Sequence, residues 1–120
     1  MSRRIMTILA AAIATLTLTT TPAGAGQGDL EVYSAPNYSG THVTVPFDTL
    51  RHSLFRCVTV NELTSNVLAT SQSMINHAPY DFRLYGDTSC STFITYMSAG
   101  TQWTTSTNQT VRAVFISLIA

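Results

Sequence analysis

Two cysteines, three histidines and a scatter of serines and carboxylates are the residues here that could do chemistry. Cys57 and Cys90 are the only cysteines in the 120-residue chain. An even count in an exported protein reads as one disulfide, the alternative being a pair of free thiols. A Cys57–Cys90 bridge would close more than a quarter of the chain into one loop. In the chain-entropy account a loop of that length contributes roughly 4 kcal/mol, comparable to the net stability of a small domain.

His42, His52 and His77 are widely spaced and fit no Cys/His zinc pattern, so they read as surface or turn histidines. The serines include no Gly-x-Ser-x-Gly elbow. Asp81 and Asp87 bracket a strand-like segment, but paired carboxylates for glycoside chemistry need a cleft that a chain of this size can hardly enclose. These residues assign no catalytic group, no metal ligand and no cofactor, and the expectation is a protein that binds and does not catalyse.

The segments that position these residues begin after a leader. Arg3 and Arg4 precede an apolar run from Ile5 to Leu18, and Ala23-Gly24-Ala25 offers the small-x-small pattern of a signal-peptidase site, which predicts a signal peptide over 1–25 and secretion. The run is too short for a spanning helix, which needs roughly 20 apolar residues. The remaining stretch, 26–120, is the size of one domain. In it Arg51, Arg56, Arg83 and Arg112 oppose six carboxylates, a net charge of −2 with no lysine. That balance supplies no basic footprint for nucleic acid or for an anionic membrane.

The mature segment is rich in Thr, Ser, Val and Tyr, with short apolar-polar alternations broken by Gly, Pro and Asn, and it lacks a long helical period. Antiparallel strands follow. Leu30 and Val32 alternate with Glu31 and Tyr33, Pro36-Asn37 and Gly40 turn the chain, and Val43 and Val45 resume the pattern. A second hairpin runs from Asp81 through Gly86-Asp87 to Met97, and Val111–Ile119 is apolar on both faces, as suits a strand between two layers. Ser65–Ile75 reads as a helical turn leading into a strand.

The two hairpins resemble each other. Tyr33-Ser34-Ala35-Pro36-Asn37-Tyr38-Ser39-Gly40 fits an aromatic, four residues, an aromatic, one residue and glycine. Tyr85 opens the corresponding stretch of the second half, with Cys90 for the second aromatic and Thr92 for the glycine. This pattern resembles the βγ-crystallin signature, in which the glycine takes a positive φ that a Cβ would obstruct. The resemblance covers nearly all of the mature chain. It implies an all-β fold, two Greek-key motifs forming a small βγ-crystallin-like sandwich, with Tyr33, Tyr38, Gly40 and Tyr85 as motif residues; the alternative is another small β-sandwich or barrel. It is nearest to single-domain secreted actinobacterial members, among them a metallopeptidase inhibitor and a killer-toxin-like protein.

Microbial members of this family often bind calcium through two Asn/Asp, two variable residues and Ser/Thr-Ser. Asn66–Ser71 has Val67 where a second polar ligand should stand, and Asn108–Ala113 carries Arg112, so calcium is not expected at either. The resemblance implies a monomeric secreted protein with a protein partner, an extracellular peptidase met by the Asp48–Glu62 loop around Cys57. Other readings are a killer-toxin-like antimicrobial protein and a calcium-responsive or structural cell-surface module. Tyr33, Tyr38, Tyr80, Tyr85, Tyr96 and Trp103 are read as fold-defining or core aromatics ahead of an exposed stacking face.

Overall fold

A computed structural model of the chain describes residues 28–118. The predicted signal peptide over 1–25 and its cleavage site lie outside the described residues. Eight strands and two short helices follow in the order β1 (Leu30–Ala35), β2 (Ser39–Val45), α1 (Phe47–Arg51), β3 (Cys57–Thr59), α2 (Val60–Leu63), β4 (Ser73–Asn76), β5 (Tyr80–Tyr85), β6 (Phe93–Met97), β7 (Gln102–Thr104) and β8 (Ala113–Leu118). They form two antiparallel four-stranded sheets, ordered β2-β1-β4-β7 and β3-β8-β5-β6.

The alternation read from sequence decides which side chains meet between the sheets. Leu30 and Val32 of β1, Val45 of β2 and Met74 of β4 are buried against Phe82, Leu84, Met97, Val114 and Ile116 of the second sheet. The intervening residues of β1 and β5, among them Glu31, Tyr33, Asp81 and Arg83, fall on the outer faces.

The two halves of the chain are laid out alike. In each, the first strand lies between the second and the fourth, while the third crosses to the other sheet: β7 completes the first sheet and β3 the second. The offset that carries Tyr33 onto Tyr85 recurs in the hydrogen bonds. Asp29 Oδ1 accepts the Phe47 N–H at 3.2 Å, and Asp81 Oδ1 accepts the Ala99 N–H at 2.9 Å, so each carboxylate ties the residue that leaves its own hairpin.

In the first hairpin turn Asn37, Tyr38 and Gly40 have φ of 59°, 58° and 80°. Ser34 Oγ accepts the Thr41 N–H at 2.8 Å. A Cβ on Gly40 would run into that same oxygen and come within 3.0 Å of Ala35 Cβ, so glycine is required on two counts. In the second hairpin Cys90, at the place of Tyr38, has φ 57°, and Thr92 has no positive φ. Asp87 holds this turn: its carboxylate accepts the Ser91 and Thr92 N–H groups, each at 3.0 Å, and the Ser89 hydroxyl at 2.8 Å.

Two details of the middle stretch differ from the sequence reading. The helical turn is α2, which precedes Ser65–Ile75; Thr59 Oγ1 caps it by accepting the Glu62 N–H. Asp48–Glu62 is not an open loop either, since it contains most of α1, all of β3 and the start of α2.

Candidate functional site

Cys57 begins β3 and Cys90 sits in the β5–β6 turn; they are joined by a disulfide with S–S 2.10 Å and Cα–Cα 5.9 Å. The bridge ties β3, an edge strand of the second sheet, to the hairpin turn that Asp87 organises. Upstream of it the chain is fixed residue by residue. Leu50 is buried, Ser53 Oγ donates to the Thr49 carbonyl at 2.9 Å, and Leu54 bridges to Ile116. Phe55 then turns with φ 61° while its N–H donates to the Ile116 carbonyl at 2.8 Å. Arg56 makes a two-pronged contact with Glu62, at 2.8 and 3.3 Å, which raises the guanidinium's pKa and lowers the carboxylate's. The backbone of Phe55 is thus anchored on both sides, yet 59% of the residue is exposed.

Two residues after Phe55, Cys57 joins the outer face of the second sheet. The strand registers place Tyr96, Arg83, Phe115 and Cys57 in one row across the four strands. Tyr96 and Phe93 are 48% and 55% exposed, and the Phe93 ring meets Tyr85 edge-on at 5.9 Å. The Tyr96 hydroxyl donates to buried Asp81 at 2.5 Å, a bond that raises the phenol's pKa and fixes the ring. The sequence assigns the tyrosines and Trp103 to core or motif duties; Trp103 does pack against the core, whereas Tyr96 stands outside.

The outer face of the first sheet carries a polar cluster that the sequence spacing conceals. Glu31 is 2% exposed. Its Oε1 accepts the Tyr33 hydroxyl at 3.0 Å, and its Oε2 is hydrogen-bonded to His77 Nε2. His42 Nε2 lies 3.2 Å from Oε1, out of line for a hydrogen bond, while its ring stacks on Tyr33 at 4.5 Å. Burial, and then the bond to Glu31, pushes the Tyr33 hydroxyl up to about 12. His77, exposed just after β4, and His42, partly exposed on β2, read from sequence as surface or turn histidines; what their spacing does not reveal is that both face one carboxylate. They meet because β1 lies between β2, which bears His42, and β4, which ends just before His77. Glu31 takes a polar place in the alternation, so nothing in the sequence marks its burial.

Of the motif residues, Tyr33 packs edge-on against Tyr38 at 5.9 Å over the first hairpin, Gly40 turns it, and Tyr85 takes the equivalent place against Phe93. His52 stays apart, beside Asp48 on α1. Among the described residues no three His, Cys, Asp or Glu side chains are arranged to hold a metal ion. In the Asn66–Ser71 stretch Asn66 is occupied by Asn61 Nδ2, which donates to its Oδ1 at 3.0 Å, and Val67 is exposed. At Asn108–Ala113 the turn is organised by Thr105 Oγ1, which accepts the Gln109 N–H at 2.8 Å. No described helix is long and apolar enough to cross a membrane. Comparison with family models, with curated proteins and with solved structures returns no match to this chain.

Proposed function

We propose that this protein is a secreted, non-enzymatic binding protein of βγ-crystallin-like fold that inhibits an extracellular peptidase. The reading of the fold rests on two successive four-strand units, each with its fourth strand beside its first and its third strand given to the other sheet. Outside the fold, the aromatic and glycine spacing at Tyr33, Tyr38 and Gly40 carries the resemblance.

The observation that supports an inhibitor is Phe55. It is a large apolar side chain offered to solvent from a backbone held by the Ile116 carbonyl on one side and by the disulfide-bonded Cys57 on the other. An anchor that is already ordered loses little entropy when it enters a partner's pocket, and aromatic anchors of this kind concentrate binding energy. The row of Tyr96, Arg83 and Phe115, which ends at Cys57, adds exposed aromatic surface that suits a protein partner over a nucleic acid or a membrane.

The test is inhibition of a panel of secreted metallo- and serine peptidases by the purified, oxidised protein. The expected result is sub-micromolar inhibition of a metallopeptidase, weakened on the order of tenfold or more by Phe55→Ala with an unchanged melting temperature. No inhibition across both classes overturns the reading.

A further inference from the structure

At one end of the sandwich a cleft of about 520 Å³ opens between the two halves, lined among the described residues by Gly28, Phe47, His77, Pro79, Ala99, Gly100 and a neighbouring alanine. Its origin lies in the broken symmetry of the halves. Phe47 follows the first hairpin and stacks on Tyr80, with centroids 5.6 Å apart and planes 10° from parallel. The offset that relates the Asp29–Phe47 and Asp81–Ala99 bonds carries Phe47 onto Ala99 and Tyr80 onto Gly28. At one of the two equivalent places the halves meet through two stacked rings, one from each; at the other they meet through the methyl group of Ala99 and the hydrogen of Gly28, and both of those small residues line the cleft.

We propose that this cleft is a binding site for a small planar aromatic molecule bearing one hydroxyl or N–H group. The volume lies in the range of small-molecule sites, which span about 300–1,000 Å³. The walls present the Phe47 ring, Pro79 and glycine backbone, a shape that suits a flat apolar ring, which stacks or meets other rings edge-on. Gly28 has φ +100°, and a Cβ there would lie 3.3 Å from the Phe47 ring, so glycine lets that ring pack directly on the backbone at the cleft wall. The polar contact is His77. Its Nε2 is held by buried Glu31, its N–H donates to the Asp29 carbonyl at 2.9 Å, and its carbonyl accepts the Gly28 N–H at 2.9 Å. Two of these bonds fix the main chain of His77 and the third, to Glu31, fixes its imidazole, which leaves Nδ1 as the ring atom open to the ligand's hydroxyl or N–H. The site is distinct from the Phe55 face, and neither proposal depends on the other.

Titration of the isotope-labelled, disulfide-bonded protein with phenol, indole and cyclohexanol, followed by amide chemical shifts, tests this. Phenol and indole are expected to shift Gly28, Ala99 and Gly100 saturably, with Kd on the order of 1 mM as suits ligands of so few atoms. Ala99→Phe, which restores the missing ring, is expected to abolish the response, and Ala99→Leu serves the same purpose if the larger change does not fold. His77→Ala is expected to weaken phenol several-fold more than a ring without a polar group, toluene. Absence of saturable shifts up to about 10 mM phenol overturns the site. So does a response that survives filling at Ala99, and an equal response to cyclohexanol overturns the aromatic class.

Discussion

The two hairpins are held by different means and share one left-handed position. In the first, Gly40 and Ser34 shape the turn and Tyr38 packs on Tyr33; in the second, Asp87 gathers the amides and Cys90 ties the turn to β3. Tyr38 and Cys90 nevertheless share a left-handed φ, 58° and 57°. A tyrosine and a disulfide-bonded cysteine thus serve at the same left-handed position, and in each turn a side-chain oxygen, Ser34 Oγ or the Asp87 carboxylate, takes up the N–H groups left over. The outer faces diverge further: at equivalent positions the first half buries Glu31 and the second exposes Arg83.

The sharpest way to break this comparison is to remove the second hairpin's tether. Reduction, or Cys57→Ser with Cys90→Ser, is expected to cost roughly 4 kcal/mol and to lower the melting temperature by on the order of 15–25 °C. An unchanged midpoint with and without reductant would show that Asp87 suffices by itself.

In the first hairpin Gly40→Ala is expected to cost about 1–3 kcal/mol, since it adds both a forced positive φ and a collision with Ser34. Thr92→Gly, at the equivalent place, should change stability by less than about 1 kcal/mol. Equal losses in urea titrations of the two variants would refute the difference drawn between the turns. For the outer faces, Glu31→Ala is expected to cost about 1–3 kcal/mol by stranding the bonds of Tyr33 and His77, against about 0.5 kcal/mol or less for Arg83→Ala.

The smallest effect concerns pH. The Thr92 amide, with help from Ser89 and Ser91, holds the Asp87 carboxyl well below the usual carboxylate range. A carboxyl depressed on folding stabilises the protein above its unfolded value, near 3.9, and that contribution is lost as pH falls from there towards the folded value. Melting temperatures of Asp87→Asn should therefore fall less steeply than those of the parent protein below about pH 4. Parallel curves would mean that the turn does not depend on the charge.

Much of the β architecture is legible in the sequence because it is local. The alternation at Leu30–Val45 and at Asp81–Met97 locates both hairpins, and the spacing of the tyrosines exposes the repeat that carries Tyr33 onto Tyr85. Cys57 and Cys90, the two cysteines of the chain, read as a disulfide with free thiols as the alternative, and the structure joins them. What the sequence hides depends on short or distant features. β3 has three residues and α2 four, too few for any period to register, so Asp48–Glu62 reads as a loop. His42 and His77, far apart along the chain, converge on Glu31 only through a strand order that no local pattern encodes. Phe55 gives no sign of its exposure, because it follows Leu54 and no pattern tells the two apolar neighbours apart.

The exchange of third strands also bears on what happens when the chain is cut. A nick between Met97 and Gln102 would leave one piece holding β1 to β6 and another holding β7 and β8, each seated in a different sheet. Neither piece owns a complete sheet, and β8 lies between β3 and β5 at the centre of the second. The fragments would stay clasped as one particle and part only on unfolding, so a protease that clips this connection marks the protein without dismantling it.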